Sequence, residues 1–434
     1  MSIISLLAFI SLALLSYISF YFSRLVYGDY FAPVGLFIGI NLASLSLYQL
    51  NFLPLTHISF QAYTLIAVSL FSFLVGVLMA SPSFALKGKP LIRQDLFSKH
   101  EKFLNKGLTL FYYFTASLAI AGWIFYITVI VPPGWWSKLW ILQGQLIPHH
   151  LGYLIVLGTL VPPTFVLLAL ARHRITLPSV FFLFGGLIAL GLCGIKAYLV
   201  IGLVTSLLIW AMARLGRVGV KHLAIITIIF IGFMAIYDRF IDVFVQAQNP
   251  GSRFPIALSF LERPYLYMVG SWPAMSVVMA NPPAAPVQWG QITLGLFWKI
   301  LGPRGLRIIE KVSPFSLFVD IGVSKFNVYS LVGNLYLDYG WLGAILGCFF
   351  LGFISTRLYI IARKRRTWIL YLLSAIFSYG LLISFFAYYY GSILIFLLLY
   401  TLIVGWLSER LSILLKLRKN YVPYHKNTYR EAIL

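Results

Sequence analysis

The chain has 434 residues, 61% of them hydrophobic and only 10% charged, with a mean hydropathy of +0.91. Soluble globular chains are nearer half apolar and a quarter charged, so the composition excludes that class and predicts an all-α, polytopic integral membrane protein. The net charge of +22 then belongs to basic loops on the inner side of a bilayer, and nucleic acid is not expected as a partner.

A bilayer core takes about 20 apolar residues in helical form. The opening stretch MSIISLLAFISLALLSYISF lacks a basic leader and a small-residue cleavage site, and it reads as the first spanning helix. In chain order the predicted spans are 3–22, 31–49, 58–80, 108–131, 151–171, 177–195, 197–213, 223–240, 341–357, 367–387 and 391–407, eleven in all. Cys193 and Cys348 fall in apolar segments far apart and read as small packing residues. Alternation from the basic segment 81–107 puts 23 of the 33 Lys and Arg inside, with the N-terminus outside and the C-terminus inside. The organisation expected is an N-terminal bundle over 1–240, an external loop over 241–328, further membrane helices over 329–407 and a basic tail over 408–434.

The first external features are small. Lys138 and the pair His149–His150 lie in PPGWWSKLWILQGQLIPHH. Adjacent histidines can hold a metal, but no third ligand has a legible spacing, so His149 reads as a capping or acceptor-facing residue. Lys196 stands alone in the turn GLCGIKAYL, where it meets either a substrate phosphate or the lipid headgroups to which such side chains snorkel.

The long external loop is different in kind. Loops of this length without regular structure are usually functional or disordered, and its three Trp and many Phe and Tyr argue against disorder. Within it, 265–280 and 292–312 have the look of amphipathic or re-entrant helices interrupted by proline and glycine. Six of the eleven acidic residues lie in or beside this loop: Asp238, Asp242, Glu262, Glu310, Asp320 and Asp338. With them come Arg253, Arg263, Arg304 and Arg307, the side-chain type that binds phosphate oxygens bidentately and keeps its charge. Arg304 and Arg307 follow a Gly-Pro break, where a helix N-terminus adds N–H donors. Tyr265, Tyr267 and Trp272 supply aromatic surface for sugar rings or for the membrane interface. Such furnishing suits a lipid diphosphate bearing a glycan. No D-x-D metal pair, Walker A loop, HExxH or GxSxG motif occurs, and no span carries a chain of acidic residues.

At the end of the loop, NVYSLVGNLYLDYGWLGAILGCFFLGF places Asn327, Asn334 and Asp338 where the chain re-enters the membrane. This segment, with its Asn327-Val328-Tyr329 start and its Asp338-Tyr339-Gly340 followed by Gly343, resembles the late segment of bacterial Wzy-type polymerases of O-antigen and related oligosaccharide repeat units. The preceding ERPYLYMVGSWPA and LFWKILGPRG are similar to that family's external loop, and the layout of spans agrees along the whole chain. One pattern departs from the family. An Arg-x10-Gly spacing found in some members is broken here, since Arg253 and Arg263 meet Pro264 and Ala274.

The resemblance implies a glycosyltransferase of the bacterial inner membrane that uses undecaprenyl-diphosphate-linked oligosaccharide as donor and acceptor. A chain-length regulator would be a further partner. The diphosphate is already a good leaving group, so arginines can take the place of a metal and no cofactor is expected. Arg253, Arg263 and Arg304 are then diphosphate or glycan contacts, and Asp338 and Glu262 are base or sugar-hydroxyl acceptors. Asp338 has a second reading as the cap of a helix starting near Gly340. Gly343 and Gly347 form a GxxxG spacing that predicts close helix packing. Two other activities fit the layout: an O-antigen ligase, which hands the glycan to a lipid A core, and a transporter of lipid-linked oligosaccharide.

Overall fold

The computed structural model describes residues 3–81, 104–130, 149–172, 175–192, 196–213, 232, 261–281, 290, 292–294, 318–365, 367–387 and 390–431. The helices in chain order are α1 (Ile3–Tyr27), α2 (Ile40–Gln49), α3 (Phe60–Ala80), α4 (Leu104–Phe125), α5 (His149–Val156), α6 (Val161–Arg172) and α7 (Leu177–Leu192). They continue with α8 (Lys196–Ala213), α9 (Glu262–Val269), α10 (Ser271–Ala280), α11 (Leu331–Arg365), α12 (Trp368–Leu382) and α13 (Ile395–Glu431). Among the described residues the only strands are β1 (Val319–Asp320) and β2 (Lys325–Phe326), an antiparallel pair in which Asp320 faces Lys325.

This is a membrane-embedded, helical protein. Among the described residues six runs are long and apolar enough to cross a bilayer: Ile3–Tyr27, Phe60–Ala80, Lys106–Thr128, Gly152–Ala171, Leu331–Arg365 and Ile395–Leu415. Four further apolar helices, Gly35–Gln49, Leu177–Gly191, Ala197–Ala213 and Trp368–Leu382, are shorter. At about 1.5 Å per residue they reach about 25 Å at most, against a hydrocarbon core of about 30 Å. Among the described residues helix length and composition therefore support six crossings, and the eleven expected are not confirmed. The span expected at 223–240 lies, apart from Gly232, outside the described residues.

The chain divides into two compact units. The first comprises Met1–Arg93, Ala211–Ile361 and Ile376–Phe396; the second comprises Gln94–Trp210, Ala362–Ala375 and Leu397–Leu434. In the first unit α1 buries only Ser16, Ser23 and Tyr27, and many of its apolar residues, Ile3, Leu7 and Leu14 among them, are exposed, as suits a lipid-facing helix. The two serines have a structural task. Ser23 Oγ accepts the Gly35 N–H at 2.6 Å, and Ser16 Oγ–H donates to Gly39 O at 2.7 Å. They thereby fix the π-helical turn Gly35–Gly39 that leads into α2, supplying partners that the wider turn does not make for itself. α3 starts at Ser59, whose Oγ accepts the Ala62 N–H at 3.2 Å in the usual N-cap arrangement.

α3 and α11 cross at two glycines. A Cβ on Gly76 would collide with the Phe349 carbonyl oxygen, and one on Gly352 with the Phe73 carbonyl oxygen. Beside them Ser72 Oγ–H donates to Ile345 O at 2.8 Å, so small residues bring the backbones together, as they do between membrane helices generally.

α11 differs from expectation in two ways. It begins at Leu331, ten residues before the predicted span, and it is broken at Gly340, where φ is +67° and ψ is −158°. That conformation belongs to glycine. The break folds the two halves so that Leu335 packs on Gly347, within 2.8 Å of where a Cβ would stand. In a straight helix residues that far apart would be separated by about 18 Å. Gly343 and Gly347 therefore make room for the first half of their own helix, and the GxxxG spacing is not the helix–helix contact expected of it. Gly340→Ala should destabilise the protein by about 1–3 kcal/mol through backbone strain alone, since no heavy atom stands within 4 Å of the new methyl. Thermal unfolding of the detergent-solubilised chain checks this.

The second unit is built from α4 to α8 with the start of α12 and the length of α13. Phe111 sits at its centre, 5.0 Å from the Trp368 ring and 5.7 Å from the Tyr400 ring. Thr115 and Tyr400 share a hydrogen bond of 3.0 Å, and Tyr112 O–H donates to Ser179 O at 2.6 Å. Between α5 and α6 the 3₁₀ turn Leu157–Leu160 precedes Pro162 and Pro163. Prolines have no N–H to return to the preceding turn, and the tighter winding accommodates that loss.

Candidate functional site

Among the described residues the first unit has several breaks in its helices, and their polar groups need partners. α9 and α10 are separated at Gly270, where a Cβ would lie 2.7 Å from Leu266 O and 3.0 Å from the Phe326 ring. After α12 the chain turns through 383–386, which leaves the carbonyls of Ser384 and Phe385 without helical donors. Leu331 N–H, at the start of α11, donates to Ser384 O at 2.7 Å, and Ser271 Oγ–H donates to Phe385 O. Asn41 Nδ2 donates to Ser384 Oγ at 2.8 Å and to Phe37 O at 2.6 Å. Three breaks in three elements are thus stitched to one another by side chains and a helix N-terminus.

Several residues singled out in the sequence belong to this seam. Trp272 is fully buried, and its Nε1–H donates to Ser44 Oγ at 2.7 Å while Ser44 Oγ–H donates to Met268 O at 2.5 Å. α10 as a whole is buried on nearly every side, so of the two readings of 265–280, amphipathic or re-entrant, the burial of α10 counts against an interfacial amphipathic helix there. Asn334 Nδ2 donates to Tyr329 O at 2.6 Å and Ser330 O at 3.0 Å, closing the turn that opens α11. Tyr265 is buried with its ring 5.5 Å from Phe52 and its O–H directed at Leu47 O, 3.3 Å away. Burial pushes the Tyr265 phenol above its ordinary value and the Tyr329 phenol up to about 12, so both stay protonated and neither is a base near neutrality.

The half-buried candidates gather elsewhere. Glu262 and Arg263 form the first turn of α9, and Tyr267 stands one helical turn beyond Arg263 on the same face. The Tyr267 ring meets Phe386 edge-on at 5.4 Å, and Phe386 meets Phe326 at 6.4 Å. Asn327 follows Phe326 at the end of β2, half-exposed. The result is an aromatic ridge of Tyr267, Phe386 and Phe326, with Arg263 one helical turn before Tyr267 on α9 and Asn327 next to Phe326 in the chain. Such a surface offers flat apolar faces and a bidentate anion donor together. Phe386 and Phe326 were not among the candidates; the aromatic run ISFFAYYYG, unusual beside a helix end, was the signal for the first.

Asp338 lies apart from the ridge, in the first half of α11. Its side chain is completely buried, and its carboxylate accepts Thr293 N–H at 2.7 Å and Ile292 N–H at 3.2 Å. It does not cap the helix that follows Gly340, because both oxygens face this distant turn. Lys196 opens α8 and His149 opens α5, both in the second unit. Arg253, Arg304 and Arg307 lie outside the described residues, as does most of the stretch 292–312. Among the described residues no three of His, Cys, Asp and Glu come together as a metal-binding group. No family model matches the chain, and neither does any curated protein or solved structure.

Proposed function

We propose that the chain is a glycosyltransferase of the bacterial inner membrane that polymerises undecaprenyl-diphosphate-linked oligosaccharide repeat units on the outer face. The observation that carries this reading is the ridge of Tyr267, Phe386 and Phe326 with Arg263 one helical turn away. Sugar rings pack on aromatic faces, and a guanidinium stabilises the charge that develops on a departing diphosphate. In the proposed step the acceptor hydroxyl oxygen attacks the anomeric carbon and forms the new glycosidic bond. The bond from that carbon to the phosphate oxygen breaks, and its electron pair leaves with the lipid diphosphate. The hydroxyl proton passes to a carboxylate, and Glu262, half-buried and next to Arg263 at the start of α9, is the group proposed to take it. Arg253, Arg304 and Arg307 complete the anion contacts in this scheme.

The test is deletion of the gene in its native host, with glycans sized separately on the lipid carrier and on the final acceptor. A polymerase predicts single units on the acceptor and loss of the long ladder. Long chains stranded on the carrier would instead assign a ligase, and units trapped on the cytoplasmic side a transporter. An unaltered profile would overturn the reading.

A further inference from the structure

We infer that Asp338 is a latch: its buried carboxylate holds Ile292 and Thr293, in the external turn with Gly290 and Leu294, against the break in α11, and it does not serve as the catalytic base. The turn is anchored through its backbone, with Thr293 N–H on Oδ2 at 2.7 Å and Ile292 N–H on Oδ1 at 3.2 Å. A second rung lies alongside, where Thr293 Oγ1 and Tyr339 O–H share a hydrogen bond of 2.8 Å. The turn closes on itself through Leu294 N–H to Gly290 O at 2.7 Å. Gly290 has a φ of +79°, and a Cβ there would strike the Tyr339 hydroxyl, so the approach needs glycine both for its conformation and for its size.

Several features make this a latch and not a reacting site. A base must come within about 2.6–3.2 Å of the proton it takes, and Asp338 has no exposed surface on which a substrate hydroxyl could arrive. Both carboxylate oxygens are engaged by the same turn, more than forty residues away in sequence. The side chain also sits two residues before the Gly340 break, so one carboxylate fixes the external turn to the half-helix and fixes the half-helix beside its hinge. The aspartate–aromatic–glycine sequence then has one role for each member. Asp338 holds the backbone, Tyr339 holds the Thr293 hydroxyl, and Gly340 turns the helix. The latch stands independently of the proposed reaction, and only the exclusion of a base role rests on that reading.

Amide hydrogen exchange on the full-length chain in detergent micelles reads these bonds directly. Asp338→Asn should speed exchange at Ile292 and Thr293 by at least tenfold, because an amide can accept from one N–H but confronts the other with its own NH2. Tyr339→Phe should speed Thr293 exchange severalfold. Peptides over 345–356, at the α3–α11 crossing, should be unchanged in both variants. Unchanged protection at 292 and 293 in Asp338→Asn, with the crossing intact, would overturn the latch. If Asp338→Asn also exposes the crossing, the milder Tyr339→Phe decides by the same criterion. Chain elongation supplies the second readout. A latch leaves Asp338→Asn with reduced but measurable elongation, since one acceptor survives, whereas a lost base leaves none and would overturn the assignment. Absence of elongation in the unaltered protein would count against the proposed reaction and leave the exchange result to judge the latch alone.

Discussion

Replacing Gly76 or Gly352 with alanine is expected to destabilise the protein by about 3 kcal/mol or more, at the upper end of what overpacking costs. Each new methyl would meet a backbone carbonyl of the facing helix, at Phe349 for Gly76 and at Phe73 for Gly352. A side-chain tip can turn aside; a carbonyl inside a helix can move only with its helix. The two glycines belong to one crossing, so separating α3 from α11 would also break the bond from Ser72 to Ile345 O, and the double variant should be far from additive. Gly191→Ala is the control, because no heavy atom lies within 4 Å of the methyl it adds. Melting curves of the parent and the four variants, all solubilised, check the order: Gly191→Ala near the parent, the single crossing variants well below it, and the double variant only slightly lower than either. A crossing variant as stable as Gly191→Ala would mean that the helices can part without loss.

What the sequence could reveal follows from the range of each interaction. Apolar runs are local, so the membrane class and ten helical segments were legible from hydropathy alone. The start of α11 was not. Asn327, Asn334 and Asp338 make 327–340 read as a solvated approach to the membrane, yet the Asn334 amide is spent on two carbonyls within five residues and Asp338 on a turn far upstream. A polar residue looks solvated in sequence until its partner is known. The glycines tell the same story. Gly343 and Gly347 have the GxxxG spacing but face their own helix, whereas Gly76 has no glycine four residues away and makes the crossing. The legible hint for Gly76 was the run of small residues Ser69, Ser72 and Gly76 on one side of α3. Of the ridge, only Arg263 and Tyr267 on α9 could be paired by helical spacing. Phe386, well over a hundred residues downstream, joins them through the turn that ends α12.

That ridge carries the second large effect. Tyr267→Ala should reduce the amount of long glycan about tenfold, while Tyr267→Phe should leave it near the parent level. The distinction follows from geometry: the ring makes the edge-on contact with Phe386, and phenylalanine keeps that face without the hydroxyl. An aromatic contact contributes about 0.5–1.5 kcal/mol beyond its area, which at its upper end is close to tenfold in a rate. Arg263→Ala should be more severe, by about 100-fold, if the guanidinium meets charge that grows as the diphosphate departs. Arg263→Lys separates two roles of the same charge. Lysine keeps the positive charge but not the planar fork, so elongation should recover only in part if the contact is bidentate, and nearly in full if a cation alone suffices. The readout is the glycan ladder in cells carrying equal amounts of each variant, with the melting temperature of each purified protein measured alongside. If Tyr267→Ala and Arg263→Ala melt like the parent and leave the ladder intact, the ridge does not carry the proposed reaction. If Tyr267→Phe is as defective as Tyr267→Ala, the hydroxyl and not the ring is what the glycan uses, and α9 would contribute a hydrogen bond where a stacking surface is proposed.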